Sequence, residues 1–263
     1  MAKARFLVVP AAGLGSRMKA VDPERPKELV PLGAKPAIHY TLEEGRDAGV
    51  EAVIVILNRA KEGLRAYLEG FDLRVTVLYQ DQPTGESDAI ALAEPVVGEG
   101  TLAIVYPDNV CLPCPGGLRR LFAAYEQHGV DVLALTRVTA QNEHAFSNSG
   151  RVDLVDLGND LYRIRRLGTK RPGGFQRRFA QELRSCGMTV CGPHVFEAIR
   201  RTRPAVRHGE FTDESVHAFM LETWGMLGLC LPGEVFDIGN PRGYRRCLDV
   251  IEGASTGRTM HRS

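Results

Sequence analysis

The chain has 263 residues, with 33 lysines and arginines against 32 aspartates and glutamates. So even a balance creates no overall field to draw the protein to nucleic acid or to an anionic membrane surface, and any anion site must be local. With no secretion-signal pattern near its start and no apolar run of membrane-spanning length, the chain is expected to be a cytoplasmic protein forming one compact unit, at a loose guide of roughly 150 residues per domain.

The first predicted element is a strand over Arg5–Pro10, a continuous run of β-branched and apolar residues of the kind buried on both faces of a parallel sheet. Similar runs recur at Ala52–Leu57, Val75–Tyr79, 102–106 and 130–136. Helical patterns lie between them at 36–48, 60–68, 87–93 and Gly117–His128. In the last of these, Leu118, Leu121, Phe122 and Tyr125 recur at i, i+3, i+4 and i+7. Strands alternating with helices of this length predict right-handed βαβ units and a doubly wound sheet.

The rhythm changes after Thr139. Alternating residues over 150–167 predict an antiparallel hairpin turning at Gly158-Asn159, and a basic, glycine-rich loop follows to Gln181. A strand at 188–191, a helix opened by Pro193, a helix opened near Thr212 and a pair of strands within 225–236 come next. Pro241 begins a last helix, and the tail from Ala254 is expected to be disordered. Six cysteines are too sparse for a disulfide scaffold. Cys111 and Cys114 form a C-x-x-C with no second pair at zinc-ribbon spacing, so burial outweighs metal or redox use.

The stretch that carries chemistry follows the first strand: PAAGLGSRM, then RPKELVPL, then KPAIHY. A glycine turn at the carboxyl end of such a strand sits where open α/β sheets bind ligands. Gly13 and Gly15 let backbone N–H groups approach a phosphate, and Arg17 can neutralise it with a bidentate fork. The dinucleotide pattern G-x-G-x-x-G fails because its third glycine is Met18, and the phosphate loop G-K-[ST] is missing. Taken alone, the turn could equally be structural.

The three spaced elements together resemble the signature of sugar-1-phosphate nucleotidylyltransferases, the NDP-sugar pyrophosphorylases. The closest resemblance is to the bacterial UTP:glucose-1-phosphate uridylyltransferases. It extends over nearly the whole chain and implies a three-layer, Rossmann-like nucleotide-diphospho-sugar transferase fold, an α/β structure with a mostly parallel sheet and a small antiparallel sugar-side sheet. One nucleotidyltransferase domain would span 1–253, with a nucleotide part at about 1–138, a sugar-phosphate part at about 139–240 and a disordered tail at 254–263.

Carried over by residue, the resemblance assigns Ala12, Gly13, Leu14, Gly15 and Arg17 to the nucleoside triphosphate, with Arg17 on the departing pyrophosphate. Lys27 would hold phosphate oxygens during transfer. Gln80 and Gly85, in the segment QDQPTGESDAI, would read the base edge. Asp108 in IVYPDN and Asp237 in FDIGNP would bind Mg2+, and Glu210 in GEFTD would contact the sugar, followed by Thr212-Asp213. The implied reaction joins a nucleoside triphosphate, UTP before dTTP or CTP, to a sugar 1-phosphate and releases pyrophosphate. Such a transfer needs positioning and charge neutralisation but no side-chain nucleophile. Read without the resemblance, Asp108 and Asp237 could simply open turns, Lys27 could be a solvated charge, and Thr212 could cap a helix with Glu210 and Asp213 beside it.

One stretch departs from the family. Where the relatives carry Val-Glu-Lys-Pro after the hairpin, this chain has RIRRLGTKRPGG. Lys170 is the candidate substitute for the lysine, and Gly187 and Gly192 fall near the next sugar-side segment. The charges at Arg163, Arg165, Arg166, Lys170, Arg171, Arg177 and Arg178 form either a solvated basic loop or a patch receiving an acidic or unusual phosphorylated substrate. Two rival functions stay open: a cytidylyltransferase for a non-sugar phosphate such as phosphocholine, and a non-catalytic nucleotide-binding relative. A homo-oligomer is compatible with the sequence, but no feature selects an interface.

Overall fold

A computed structural model of the chain describes residues 4–13, 15, 18, 21–112, 116–206 and 209–259, with side chains described up to residue 253. Its centre is a nine-stranded sheet in the order β5-β4-β1-β6-β11-β8-β12-β10-β9. The strands are β1 (Arg5–Pro10), β4 (Ala52–Leu57), β5 (Val75–Tyr79), β6 (Thr101–Val105), β8 (Asp131–Val138), β9 (Val152–Gly158), β10 (Leu161–Leu167), β11 (Glu182–Cys191) and β12 (Met226–Cys230). Strands β11 and β10 run against the other seven, so the sheet is mixed but mostly parallel in direction. Short strands β2 (Pro31–Leu32) and β3 (Lys35–Pro36) pair with each other, as do β7 (Asn109–Leu112) and β13 (Glu234–Asp237).

Alternation along each buried strand builds the three layers. In β1, Leu7 and Val9 face a cluster with Ile38 and Leu42 of α1 (Ala37–Asp47), Leu64 and Leu68 of α2 (Glu62–Glu69), and Leu118, Leu121 and Phe122 of α5 (Gly117–His128). Val8 points the other way, into a cluster with Ala89 and Ile90 of α3 (Glu86–Ala91), Val97 of α4 (Glu94–Val97), Val195 and Phe196 of α6 (His194–Thr202), and Val216 and Met220 of α7 (Asp213–Trp224). A third cluster under β7 and β13 joins Val110 and Phe236 to Cys247 of α8 (Pro241–Thr259). Among the described residues no helix is long and apolar enough to cross a membrane.

From β1 the chain winds outward through β4 and β5, then returns to place β6 on the other side of β1. The order therefore reverses between β1 and β6, and the crevice at their carboxyl ends is where such sheets bind ligands. The glycine turn after Pro10 and Asp108 after Val105 flank that point.

Several elements differ from the sequence reading. The two strands expected within 225–236 do not pair: β12 enters the main sheet parallel to β8, and β13 pairs with β7, a strand the periodicity did not signal. Strand β11 begins six residues before the expected 188. Glu182 and Arg184 interrupt the apolar pattern, yet both are buried, and Glu182 is neutralised by Arg151 and Arg178. The hairpin turns through Asn159 and Asp160, both left-handed, one residue beyond the expected pair. Helix α8 continues through the expected tail to Thr259, because Gly253 does not take the positive φ of a terminating glycine.

Candidate active site

The glycine turn is held from beneath. Lys61 is 7 % exposed, and its Nζ donates to the carbonyls of Ala11 at 2.6 Å and Gly13 at 2.7 Å and to both carboxylate oxygens of Glu28 at 3.0 Å. Asn58 donates its Nδ2 to the Ala12 carbonyl at 3.1 Å. Burial pulls the Lys61 ammonium below its usual range and Glu28 opposes that pull. This buried pair ties the glycine turn to the PKE turn, although sequence reasoning passed over Lys61, Glu28 and Asn58. The available signal was an asparagine and a lysine just after the second strand of the sheet.

Lys27 opens the short turn Lys27–Leu29 and its side chain lies under Gly15. Its Nζ donates to Asp108 Oδ2 at 2.7 Å, and Asn109 Nδ2 donates to Asp108 Oδ1 at 3.1 Å. The β7–β13 pairing sets Asp237 opposite Asn109, which brings the two distant aspartates to one place. A Cβ at Gly239 would lie 2.7 Å from Asp108 Oδ2 and 3.3 Å from Asp237 Oδ1. Both carboxylates therefore crowd the same glycine, where a larger residue would fill the space. Ser147 donates its N–H at 3.0 Å and its Oγ at 2.6 Å to Asp237 Oδ2, orienting that carboxylate. Two carboxylates converging on a side-chain-free position are a suitable oxygen donor set for a magnesium ion.

On the opposite wall, Gln80 Nε2 donates to the Gly85 carbonyl at 2.9 Å and to Thr84 Oγ1 at 3.2 Å. Gly85 has φ +120°, and a Cβ there would lie 2.4 Å from the Phe211 nitrogen and oxygen, so only glycine fits. Tyr106 donates its hydroxyl to Asp213 Oδ2 at 2.8 Å. Burial, and secondly the Asp213 charge, push the neighbouring Glu86 carboxyl up to about 7. Neither Glu86 nor Tyr106 was expected at the site.

These groups line one cleft of about 570 Å³. It brings together Ala12, Gly13, Gly15, Lys27, Gln80, Gly85, Asp108, Lys170, Gly187, Glu210 and Asp237, the described candidates from the sequence. Leu14 and Arg17 lie outside the described residues, as does Cys114. Gly187 forms the bulge where β11 changes register against β8, and its carbonyl accepts the Tyr106 N–H at 2.9 Å. Thr212 stands at the N-cap of α7 but makes no side-chain capping bond.

Two expectations need correction. Gly192 lies at the far end of β11 against Tyr125 and His194, because that long strand carries it to the opposite edge of the sheet from the cleft. Of the basic set, Lys170 lines the cleft. Arg166 pairs with Asp153, Arg177 with Glu143, and Arg178 with Asp153 and Glu182, all away from the cleft. Three of the seven charges are therefore paired outside the cleft, and Arg163 and Arg165 line a separate surface depression beside Trp224. Cys111 is buried in β7, and burial pushes its thiol up to about 12, which disfavours the reactive thiolate.

A glycine turn, a lysine and two facing carboxylates thus meet in one cleft at the switch point of the sheet. The chain belongs to the family of MobA-like NTP transferase domains, whose pattern matches residues 7–203, and it is a nucleotidyltransferase. It is similar to the UTP–glucose-1-phosphate uridylyltransferase YngB of Bacillus subtilis (strain 168), 25 % identical over 92 % of this chain and 87 % of that protein. A UTP–glucose-1-phosphate uridylyltransferase of Pseudomonas aeruginosa is 24 % identical over 89 % of this chain and 91 % of that one. The fold matches a UDP-glucose pyrophosphorylase solved with UDP-glucose at a TM-score of 0.81 and 21 % identity, over 95 % of this chain and 99 % of the other. It also matches a UTP-bound UGPase from Acinetobacter baumannii at 0.76 and 23 % identity, over 94 % and 93 %.

Proposed function

We propose that the protein joins UTP and a sugar 1-phosphate, with glucose 1-phosphate as the first candidate, to give the UDP-sugar and pyrophosphate. The observation that carries this reading is the convergence of Lys27, Asp108 and Asp237 in one cleft with the glycine turn and the Gln80–Gly85 wall. An oxygen of the sugar phosphate attacks the α-phosphorus, the bond from that phosphorus to the bridging oxygen breaks, and pyrophosphate departs with the electron pair. The glycine turn carrying Gly13 and Gly15 positions the triphosphate, and Lys27 compensates the charge that develops around the reacting phosphorus. Asp108 and Asp237 would hold Mg2+, which when bound supplies further neutralisation of the phosphate oxygens.

Gln80 gives the reading its base preference. Its Nε2 is committed to Thr84 and Gly85, which leaves Oε1 to accept a hydrogen bond. The imide N–H of uracil or thymine can donate to such an acceptor; cytosine has no N–H at that ring position. Residues of about 1–138 serve the nucleotide and about 139–240 the acceptor, and we assign the enzyme to the cytoplasm.

The test is pyrophosphate release with Mg2+ when UTP, dTTP, CTP, ATP and GTP are each offered with glucose 1-phosphate, other sugar 1-phosphates and phosphocholine. Release is expected with UTP and a sugar phosphate. Release with CTP and phosphocholine alone would replace this function with the other transferase, and nucleotide binding without release from any pair would make the protein a non-catalytic binder.

A further inference from the structure

Arg184 is a cation enclosed in the protein, its burial offset chiefly by the more distant charge of Asp237. Its residue is 4 % exposed, and it lines the cleft from β11. Its Nε donates to the Ser149 carbonyl at 3.2 Å and its Nη2 to Ser149 Oγ at 3.3 Å, while Nη1 is buried with no partner. The guanidinium lies over the Phe146 ring at 4.5 Å and near the Phe175 ring at 5.9 Å. Among the described residues no carboxylate comes within ion-pair distance of it. Three other buried charges have an ion-pair partner: Lys61 has Glu28, Glu182 has Arg151 and Arg178, and Asp131 has His194. A buried donor left unsatisfied is costly, and a guanidinium cannot relieve the cost by shedding its proton.

The placement indicates which ligand would complete it. Strand β11 lies beyond β6 from β1, two strand spacings or about 10 Å from the strand that feeds the glycine turn. Arg184 therefore stands away from the nucleotide wall. Its neighbours along the cleft are Ser147, Ser149, Gly150, Ser185 and Gly187. Ser149 Oγ is 3.2 Å from Ser147 Oγ, which in turn donates to Asp237, so a continuous chain of hydrogen bonds links the guanidinium to the carboxylate pair. Of the surface basic loop, Arg166, Arg177 and Arg178 are paired elsewhere, and Lys170 lines the cleft.

We propose that Arg184 is the anion anchor of the acceptor, its guanidinium donating to an oxyanion on the substrate that receives the nucleotidyl group. That oxyanion is either the 1-phosphate common to all such acceptors or a carboxylate on the sugar ring. The proposal rests on the transferase reading above for the identity of the ligand, but not for the existence of the anion site.

Wild type, Arg184→Met and Arg184→Lys are compared with glucose 1-phosphate and with glucuronic acid 1-phosphate. In Arg184→Met the acceptor KM rises between about tenfold and a hundredfold, the worth of a hydrogen bond to a charged group, with the UTP KM unchanged. Arg184→Lys, which keeps the charge, recovers part of the loss. An equal rise for both acceptors assigns Arg184 to the phosphate, whereas a rise confined to the uronic acid assigns it to the carboxylate. Unchanged KM for both, or equal damage by Met and Lys in step with a fall in melting temperature, overturns the proposal in favour of a structural role. Calorimetric titration with inorganic phosphate separates this from the reaction itself. Weaker phosphate binding in Arg184→Met in a chain without transferase activity would refute the reaction and keep the anion site; unchanged phosphate binding would refute the site.

Discussion

Replacing Glu86 by glutamine tests the electrostatics of the cleft through stability. Desolvation, with Asp213 as the second cause, raises the Glu86 carboxyl from 4.5 to about 7. Between those values the native protein keeps a proton that the unfolded chain has released, so this group makes stability fall as pH rises through the window and level off above it. At 1.36 kcal/mol per unit the full effect is about 3 kcal/mol. Glutamine is neutral throughout and of similar shape, so Glu86→Gln should match wild type near pH 4.5 and exceed it by up to about 3 kcal/mol at pH 8. Urea denaturation of both proteins at several pH values measures this, since subtracting the two curves removes the titrating groups not coupled to Glu86. A stability difference that does not change with pH, at equal m-values, would refute the reasoning.

Other substitutions address the scaffold of the site. Gly85→Ala places a methyl 2.4 Å from the Phe211 backbone at φ +120°; strain of about 1–3 kcal/mol from the backbone alone, plus displacement of the 209–212 segment, should lower the melting temperature and weaken UTP binding together. A variant with wild-type affinity would show that this contact does not shape the nucleotide wall. Lys61→Met leaves the Glu28 carboxylate buried and unpaired, so a loss of about 3–5 kcal/mol is expected by chemical denaturation. A loss below about 1 kcal/mol would mean that the pair does not anchor the two turns.

Much of the sheet was legible because its strands are apolar runs with little else to interrupt them: Arg5–Pro10, Ala52–Leu57 and Val75–Tyr79 stand where periodicity put them. Helix Gly117–His128 matched to the residue, its apolar stripe ending at the left-handed Gly129. What stayed hidden depends on pairing between distant segments. Nothing local in 109–112 announces a strand until Glu234–Asp237 lies beside it, and that pairing is what draws Asp108 and Asp237 together. Charged residues inside a buried strand, Glu182 and Arg184, broke the pattern that would have extended β11. The candidate ligands were visible as short motifs, but Lys61 and Glu28 were not, since a buried ion pair between residues 33 apart has no sequence period. Glu86 was likewise hidden, because its raised pKa comes from burial and from Asp213, far along the chain.

The most direct test of the account is formation of UDP-glucose from UTP and glucose 1-phosphate, followed by chromatography with and without Mg2+ in wild type and Asp108→Asn. Product is expected in wild type with the metal, none without it, and a loss of at least about a hundredfold in the variant, whose melting temperature stays near that of wild type. Product formed at the wild-type rate by Asp108→Asn would contradict the assignment of the carboxylate pair to the reaction.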